Sequence, residues 1–201
     1  MNKIKSPLSS SLSHMIIVLV AVVGLSALIL GYVYRLTEAP IRKAKDQREL
    51  EAISEVVSGG FDNNPFEEKH IIPTADGKGK VELYPARKEG NITSVAIKTY
   101  TNNAFGGKME LMVGFFVDGT INKYKIIDQK ETPGLGTKVS ESKFSSQFNG
   151  LNPGKHIFKV RQDGGEIDAV TAATISSRAV IDAIQRAFDA FSKLNSSSAG
   201  N

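Results

Sequence analysis

The feature that most constrains this chain is an uncharged run of 20 residues, Met15 to Tyr34 (MIIVLVAVVGLSALILGYVY). A helix needs about 20 such residues to cross the hydrocarbon core of a bilayer. A cleaved signal peptide is the alternative, but its apolar region is only about 7–15 residues long, and no clear small-residue cleavage site follows before Arg35. The sequence therefore predicts an uncleaved transmembrane helix at 15–34, after a short N-terminal tail at 1–14.

The charges that flank this span leave its orientation open. Lys3 and Lys5 precede it, whereas five basic residues follow it closely: Arg35, Arg42, Lys43, Lys45 and Arg48. A count of flanking Lys and Arg places the C-terminal part in the cytoplasm. Because long folded domains translocate largely regardless of charge, this count does not decide the topology.

Composition excludes several classes of function. The chain has 25 basic and 21 acidic residues. Two of the basic residues precede the span, so the 167 residues that follow it hold 23 basic and 21 acidic residues. This near-balance of charge gives no reason to expect nucleic-acid binding. The absence of cysteine excludes disulfides, thiolate catalysis and iron–sulfur ligation within the chain. His14, His70 and His156 are scattered, so neither a metal site nor a catalytic triad is expected.

Residues 35–60 predict a stalk or packing helix. Thr37 can cap its start and Pro40 suits its first turn, so the helix is expected over 37–57. Ser58-Gly59-Gly60 ends it. The polar, turn-rich segment 61–90 predicts loops with short strands.

The rest of the chain predicts an α+β domain over 61–194, followed by a flexible tail at 195–201. Asp118-Gly119 between two β-rich runs, 109–117 and 120–128, predicts a hairpin. The other predicted elements are a strand at 92–100, a short helix at 140–148, a short strand at 157–160 and an amphipathic helix at 175–194 capped by Ser176 or Ser177.

Hydroxyl side chains cluster where this last helix begins, in Asp168-Ala169-Val170-Thr171-Ala172-Ala173-Thr174-Ile175-Ser176-Ser177. The first turn of a helix has free N–H groups and a positive dipole end, which stabilise an anion. Thr174 is therefore well placed to hold a phosphate or to be joined to one. An ordinary Ser/Thr helix cap is the alternative from these residues alone.

Two glycine-rich segments precede this cluster, Phe105-Gly106-Gly107 and Glu131-Thr132-Pro133-Gly134-Leu135-Gly136. Their glycines could allow the backbone to contact a flat ligand, although each segment is also compatible with an ordinary turn. In this order, and with the Asp-x-x-Thr-Ala-Ala-Thr-x-Ser-Ser segment, they resemble the FMN-binding domain family. That family includes the G subunit of the Rnf complex and the C subunit of the sodium-pumping NADH:quinone reductase. The resemblance covers the span and residues 90–190.

The resemblance implies covalent FMN on Thr174, because the last Thr of the family's Ser/Thr-Gly-Ala-Thr motif receives FMN as a phosphodiester. No residue is expected to act as a catalytic acid or base. The other implied cofactor-binding residues near the phosphate are Thr171 and Ser176, with Ala173 as a small neighbour. Asp168 either aids attachment or is a plain surface carboxylate. The residues implied around the flavin ring are Glu131, Thr132, Leu135 and Gly136. Ala172 replaces the usual Gly, at a cost of roughly 1–2 kcal/mol if that position needs a positive φ.

Thr174-Ile175-Ser176-Ser177 is similar to the Rnf version of the motif. It implies a membrane-anchored electron-transfer subunit of an Rnf-type ferredoxin:NAD⁺ oxidoreductase that couples electron flow to ion movement. The implied partners are other membrane subunits and a flavin transferase, with the domain outside the cytoplasmic membrane. The alternatives are the quinone-reductase C subunit, a stand-alone flavinylated carrier, and a membrane-anchored binding module without flavin.

Overall fold

The computed structural model of the chain describes residues 12–74, 77 and 79–198. It divides into two units, Met1–Gln47 and Arg48–Asn201. Residues 1–11, with Lys3 and Lys5 and most of the predicted N-terminal tail, lie outside the described residues. So do residues 199–201 of the predicted C-terminal tail.

One helix, α1, runs from Leu12 to Val56, so the prediction of a separate helix beginning at Thr37 is wrong. The Thr37 hydroxyl donates a hydrogen bond to the carbonyl of Val33 at 2.9 Å and so lies along the helix instead of capping it. No Gly or Pro stands between Tyr34 and Thr37 to end the helix, and Pro40 lies inside it. The helix is long and apolar enough to cross a membrane.

Five antiparallel strands form a sheet in which each strand pairs with its neighbours in sequence. They are β1 (His70–Pro73), β2 (Lys80–Lys88), β3 (Asn91–Ala104), β4 (Gly107–Phe116) and β5 (Ile121–Asp128). The predicted strand at 92–100 corresponds to β3. The predicted hairpin is confirmed, because β4 and β5 pair on either side of Asp118-Gly119.

Strand β2 shows where the prediction of loops with short strands at 61–90 is wrong. It has nine residues and pairs with both β1 and β3. Its side chains alternate, with Val81 and Leu83 in the core of one face and Tyr84 and Ala86 in the core of the other. Lys80-Val81-Glu82-Leu83 alternates, but Leu83–Ala86 is buried on both faces, so the apolar–polar alternation of a half-exposed strand is lost there.

The helices after the sheet differ in part from the predicted ones. The segment predicted as a helix at 140–148 begins with the last residue of a 3₁₀ turn (Gly136–Ser140) and contains the short helix α2 (Ser142–Ser145) and a second 3₁₀ turn (Ser146–Phe148). The predicted strand at 157–160 is wrong. There the chain folds back on itself, with the Ile167 N–H donating to the Lys159 carbonyl at 3.1 Å. Helix α3 (Thr174–Ser198) confirms the predicted C-terminal helix and extends it.

Helices cover both faces of the sheet within residues 48–201. On one face, Leu111 and Phe115 belong to a core that includes Val180 and Ile184 of α3. On the other face, the core consists of Ala52, Ile53, Val56, Val57, Tyr84, Ala86, Ala96 and Met112. This α+β arrangement confirms the predicted fold class and holds the start of α3 against the sheet.

Gly114 of β4 allows the end of α1 to approach the sheet. A Cβ atom at this position would lie 2.0 Å from the carbonyl oxygen of Val56, which also accepts a hydrogen bond from the Asn122 side chain at 2.6 Å. We expect Gly114→Ala to lower the free energy of unfolding by about 2–3 kcal/mol, because backbone must move to admit the methyl group. Thermal unfolding in detergent measures this. Gly31→Ala is the control, because a Cβ atom there would have no described atom within 4 Å apart from its chain neighbours and the backbone of its own helix. An equal loss in both variants contradicts the explanation.

Candidate functional site

Glu131 joins three segments that are far apart in the sequence. Its side chain is buried. One carboxylate oxygen, Oε1, accepts a hydrogen bond from the Gly106 N–H at 2.8 Å. The other, Oε2, accepts one from the Ser176 hydroxyl at 2.5 Å. The Phe105–Gly107 segment, the Glu131–Gly136 loop and the start of α3 therefore converge on one carboxylate, which we call the Glu131 bridge.

Two glycines make this convergence possible. A Cβ atom at Gly136 would lie 2.2 Å from Oε2 of Glu131 and 2.8 Å from Oγ of Ser176. At Gly106 it would lie 2.0 Å from the carbonyl oxygen of Lys130. Close packing between protein segments therefore explains both glycines without a ligand against their backbone, and the buried Glu131 has the same structural explanation.

The start of α3 leaves backbone donors unpaired. Neither serine predicted as a cap has that role, because α3 already begins at Thr174 and the Ser177 hydroxyl donates to the Ala173 carbonyl at 3.0 Å. The first backbone bond into the helix joins the Ser177 N–H to the Ala173 carbonyl at 3.0 Å. Among the described residues, the N–H groups of 174–176 have no backbone acceptor. This end of a long helix is suited to an anion.

Thr174 stands at this helix start as the first residue of α3. Its side chain is half-buried, between the buried Ala173 and the exposed Ile175. Within the described part of the chain, its hydroxyl makes no hydrogen bond. Thr171, the other candidate threonine, is exposed three residues earlier in the loop. Thr174 thus combines a free hydroxyl with neighbouring backbone donors for a phosphate.

Ala172 has a φ of +61°, so this position does need the left-handed backbone conformation. We expect Ala172→Gly to raise the free energy of unfolding by about 0.5–1 kcal/mol, because glycine removes the strain of the Cβ atom. Chemical denaturation measures the change. Ala169→Gly is the control, since Ala169 has no positive φ, and it is expected to destabilise the domain. A lower free energy of unfolding in both variants contradicts the proposed strain at Ala172.

A cavity of about 410 Å³ lies beside the loop that leads to α3. Gln147 fixes this loop, because its side chain accepts a hydrogen bond from the Asp168 N–H at 2.8 Å and donates one to the Asp168 carbonyl at 3.1 Å. The Asp168 carboxylate itself is exposed and pairs with Arg161 at 2.5 Å. Lys138, Lys143 and Gln147 line the cavity and were not predicted from the sequence.

The cavity reaches Thr171 but does not include Thr174 in its lining. The two remaining predicted ring residues, Thr132 and Leu135, are exposed in the loop of the Glu131 bridge. This loop is held by hydrogen bonds from the Leu135 N–H to the Thr132 carbonyl at 3.1 Å and from the Gly134 N–H to the Thr137 hydroxyl at 3.0 Å. The Leu135 carbonyl also accepts a hydrogen bond at 3.1 Å from the N–H of Lys138, which lines the cavity, so this loop leads directly to it.

An ion pair fixes the outer side of α3. Arg178 donates two hydrogen bonds to the carboxylate of Asp163, both at 2.7 Å. The guanidinium holds the pKa of Asp163 below its usual range. A lowered carboxyl pKa contributes stability above the unfolded-state pKa, and this contribution is lost as the pH falls through the folded-state value. Both groups are exposed, so the contribution is small.

The chain contains an FMN-binding domain, because the family model of that name matches residues 104–189, which include the Glu131 bridge and Thr174. The chain is 30% identical over 166 residues to the G subunit of the ion-translocating oxidoreductase complex of Vibrio cholerae serotype O1, covering 78% of each chain. It is 32% identical over 174 residues to the corresponding protein of Cereibacter sphaeroides, covering 84% of this chain and 78% of that one. The chain belongs to this family of G subunits.

A solved structure of NqrC from Shewanella oneidensis is also similar, with 21% identity and a TM-score of 0.45. The similarity covers 57% of this chain and 62% of that one. Membership of the G-subunit family, together with the apolar helix α1, supports association with a membrane.

Proposed function

We propose that this chain is the membrane-anchored electron-transfer subunit of an Rnf-type ion-translocating oxidoreductase complex and carries FMN covalently on Thr174. The observation that carries the proposal is the free hydroxyl of Thr174 beside the unpaired N–H groups of 174–176. It lies inside the matched FMN-binding domain. Relatives that share about 30% of their residues with this chain are named as subunits of such a complex.

The proposed attachment uses FAD as the donor and a flavin transferase as the catalyst. The Thr174 oxygen attacks the phosphorus of the FMN half of FAD. A Thr–O–P bond forms, the anhydride P–O bond breaks, and AMP leaves. The hydroxyl proton passes to a base of the transferase, and no electrons are gained or lost. Asp168, exposed six residues earlier, is proposed to assist the transferase at this step.

After attachment, the residues of this chain bind and orient the flavin. The N–H groups at the start of α3 stabilise the remaining negative charge of the phosphodiester. The exposed Thr171 is placed to hydrogen-bond the phosphate or the ribityl chain. FMN supplies the redox chemistry when bound, and the protein supplies position and electrostatics. A covalent link retains the flavin in both its oxidised and its reduced form.

Expression with and without a flavin transferase tests the proposal. The full chain is expected to give a fluorescent flavin band on a denaturing gel, and its mass is expected to increase by FMN less one water. The same chain made without the transferase is the matched control and should be dark. A dark band with an unchanged mass in the presence of an active transferase contradicts the proposal.

We propose that the domain lies outside the cytoplasm, where the transferase acts in the family that the sequence resembles. The absence of cysteine allows a direct test with single introduced thiols. Ser58 is exposed just after α1, so Ser58→Cys is expected to react with a membrane-impermeant maleimide in intact cells. Ser6→Cys, before the span, is expected to react only after lysis. The reverse pattern contradicts the proposed orientation.

A further inference from the structure

Strand β5 forms an edge of the sheet that most of the chain leaves open. It is the last strand in the order β1 to β5 and pairs with β4 on one side. On its other side, Ile121 donates to the Leu151 carbonyl and accepts from the Gly150 N–H, both at 2.8 Å. Among the described residues, only bonds to β4 reach the backbone of 122–128. Because alternate residues of an edge strand direct N–H and C=O groups away from the sheet, this segment has a row of unpaired donors and acceptors.

The lysines of β5 are held away from this edge by ion pairs. Lysine side chains often protect an open edge from other strands. Here the ammonium groups of Lys123 and Lys125 bind the two carboxylate oxygens of Glu55, at the end of α1, at 2.9 and 2.7 Å. Hydrogen bonds from Lys125 and Lys123 hold the pKa of Glu55 below its usual range. The other edge strand, β1, has only four residues and ends at Pro73, so β5 is the edge suited to receive another strand.

A groove of about 530 Å³ lies along the open edge. Every residue from Lys123 to Gln129 lines it, and three small hydroxyl side chains from the segment that follows line it too: Ser140, Ser142 and Ser145. Residues 125–127 also line a second cavity of about 230 Å³ beside Ala52. The edge therefore has free space next to it, and small side chains leave room for a further backbone.

The polar groups of this groove fit a polypeptide strand better than a charged ligand. The charges of Glu55, Lys123 and Lys125 are already paired with one another, so they offer no free charge to an ion. The Oε1 atom of Gln129 is buried and has no hydrogen-bond partner in the described part of the chain. A buried acceptor of this kind needs a donor. An added strand supplies N–H donors for it and for the unpaired carbonyls of β5.

We propose that the open edge of β5 binds an extended segment of another subunit of the complex, which joins the sheet as a sixth strand. This inference rests on the proposed function, because that function makes the chain one subunit among several. Main-chain hydrogen bonds to 122–128 hold the added strand, as in other cases of strand addition. Gln129 accepts a hydrogen bond from the added strand at the end of the edge.

Amide hydrogen exchange in detergent tests the added strand directly. It is measured for the full chain alone and for the full chain co-purified with the other subunits of its complex. Unpaired amides at an open edge exchange readily, whereas amides paired within a sheet are protected. The outward amides of 122–128 are expected to exchange at least tenfold more slowly in the complex. Strand β1 (70–73) is the internal control, and its exchange is expected to be the same in both samples.

A bulky side chain in the groove tests whether the protection comes from this edge. Ser142 is exposed and lines the groove, so the indole of Ser142→Trp occupies the space that the added strand needs. This variant is expected to lose the protection of 122–128 in the complex and to keep the wild-type unfolding temperature when alone. Ser146→Trp is the matched control, because Ser146 is exposed one turn later and does not line the groove.

The outcomes separate this inference from the proposed function. Protection of 122–128 in the complex that is lost in Ser142→Trp, but not in Ser146→Trp, supports the added strand. Equal exchange with and without the other subunits overturns the inference, as does full protection in Ser142→Trp, and co-purification then still supports the proposed function. Protection that appears in the chain alone as its concentration rises assigns the edge to a second copy and also overturns the inference. A chain that does not co-purify with the other subunits overturns both proposals.

Discussion

Thr174→Ala is expected to abolish covalent flavinylation completely, leaving a dark band on a denaturing gel and the unmodified mass. The physical reason is that the acceptor oxygen is removed, so no phosphodiester can form. The substitution should leave the fold intact, because the Thr174 hydroxyl makes no hydrogen bond in the described part of the chain and alanine favours a helix. Unchanged circular dichroism would show that the loss is chemical.

Two matched variants show whether the effect belongs to this one oxygen. Thr174→Ser keeps a hydroxyl at the same position and is expected to retain the flavin. Thr171→Ala removes the exposed threonine of the preceding loop and is also expected to remain labelled. Flavin on Thr174→Ala, or its loss in Thr171→Ala alone, would assign the attachment to a different residue.

Glu131→Ala is expected to produce the largest loss of stability in the site, about 3–5 kcal/mol. The side chain is buried, and it accepts one hydrogen bond from the Gly106 N–H and one from the Ser176 hydroxyl. Hydrogen bonds to a charged group contribute about 1.5–3 kcal/mol each, and their loss leaves two donors without a partner. For a domain of this size the unfolding temperature should fall by about 10 °C.

The near-ultraviolet circular dichroism of the buried tyrosines Tyr84 and Tyr124 can follow this unfolding in detergent. Glu131→Gln keeps the shape and one carbonyl acceptor, so a smaller loss is expected. Glu141→Ala is the exposed control from the neighbouring segment, because its side chain caps no helix in the structure. If Glu131→Ala and Glu141→Ala have the same unfolding temperature, the bridge does not hold the site together.

These two variants address different parts of the site. Thr174 supplies an atom for the proposed bond, and its loss should change chemistry without changing stability. Glu131 supplies no atom to that bond but holds together the segments around it. Its loss should lower stability first and flavin attachment only through displacement of the start of α3. Measuring both properties in both variants separates the proposed attachment residue from its support.

Some elements were predicted from the sequence because their signals are local. The uncharged run at 15–34, the Asp118-Gly119 turn and the apolar spacing of α3 each depend on neighbouring residues, and the structure contains the corresponding helix, hairpin and helix. Errors arose where distant contacts decide the outcome. Strand β2 is buried on both faces at Leu83–Ala86, so the alternation of its first four residues does not continue. Residues 157–160 are bent by bonds to residues 166–167.

The same distinction applies to the candidate site. By itself, the sequence determined the order of the three motifs and the presence of a threonine where a helix begins, and the resemblance then pointed to FMN. Only the tertiary structure decided that the motifs meet on one buried carboxylate, that Ser176 bonds to it instead of capping α3, and that Phe105 and Ile175 lie exposed beside it. Glu131 is 25 residues from Gly106 and 45 from Ser176, and contacts at such separations leave no local periodicity because they depend on how the whole sheet and α3 pack.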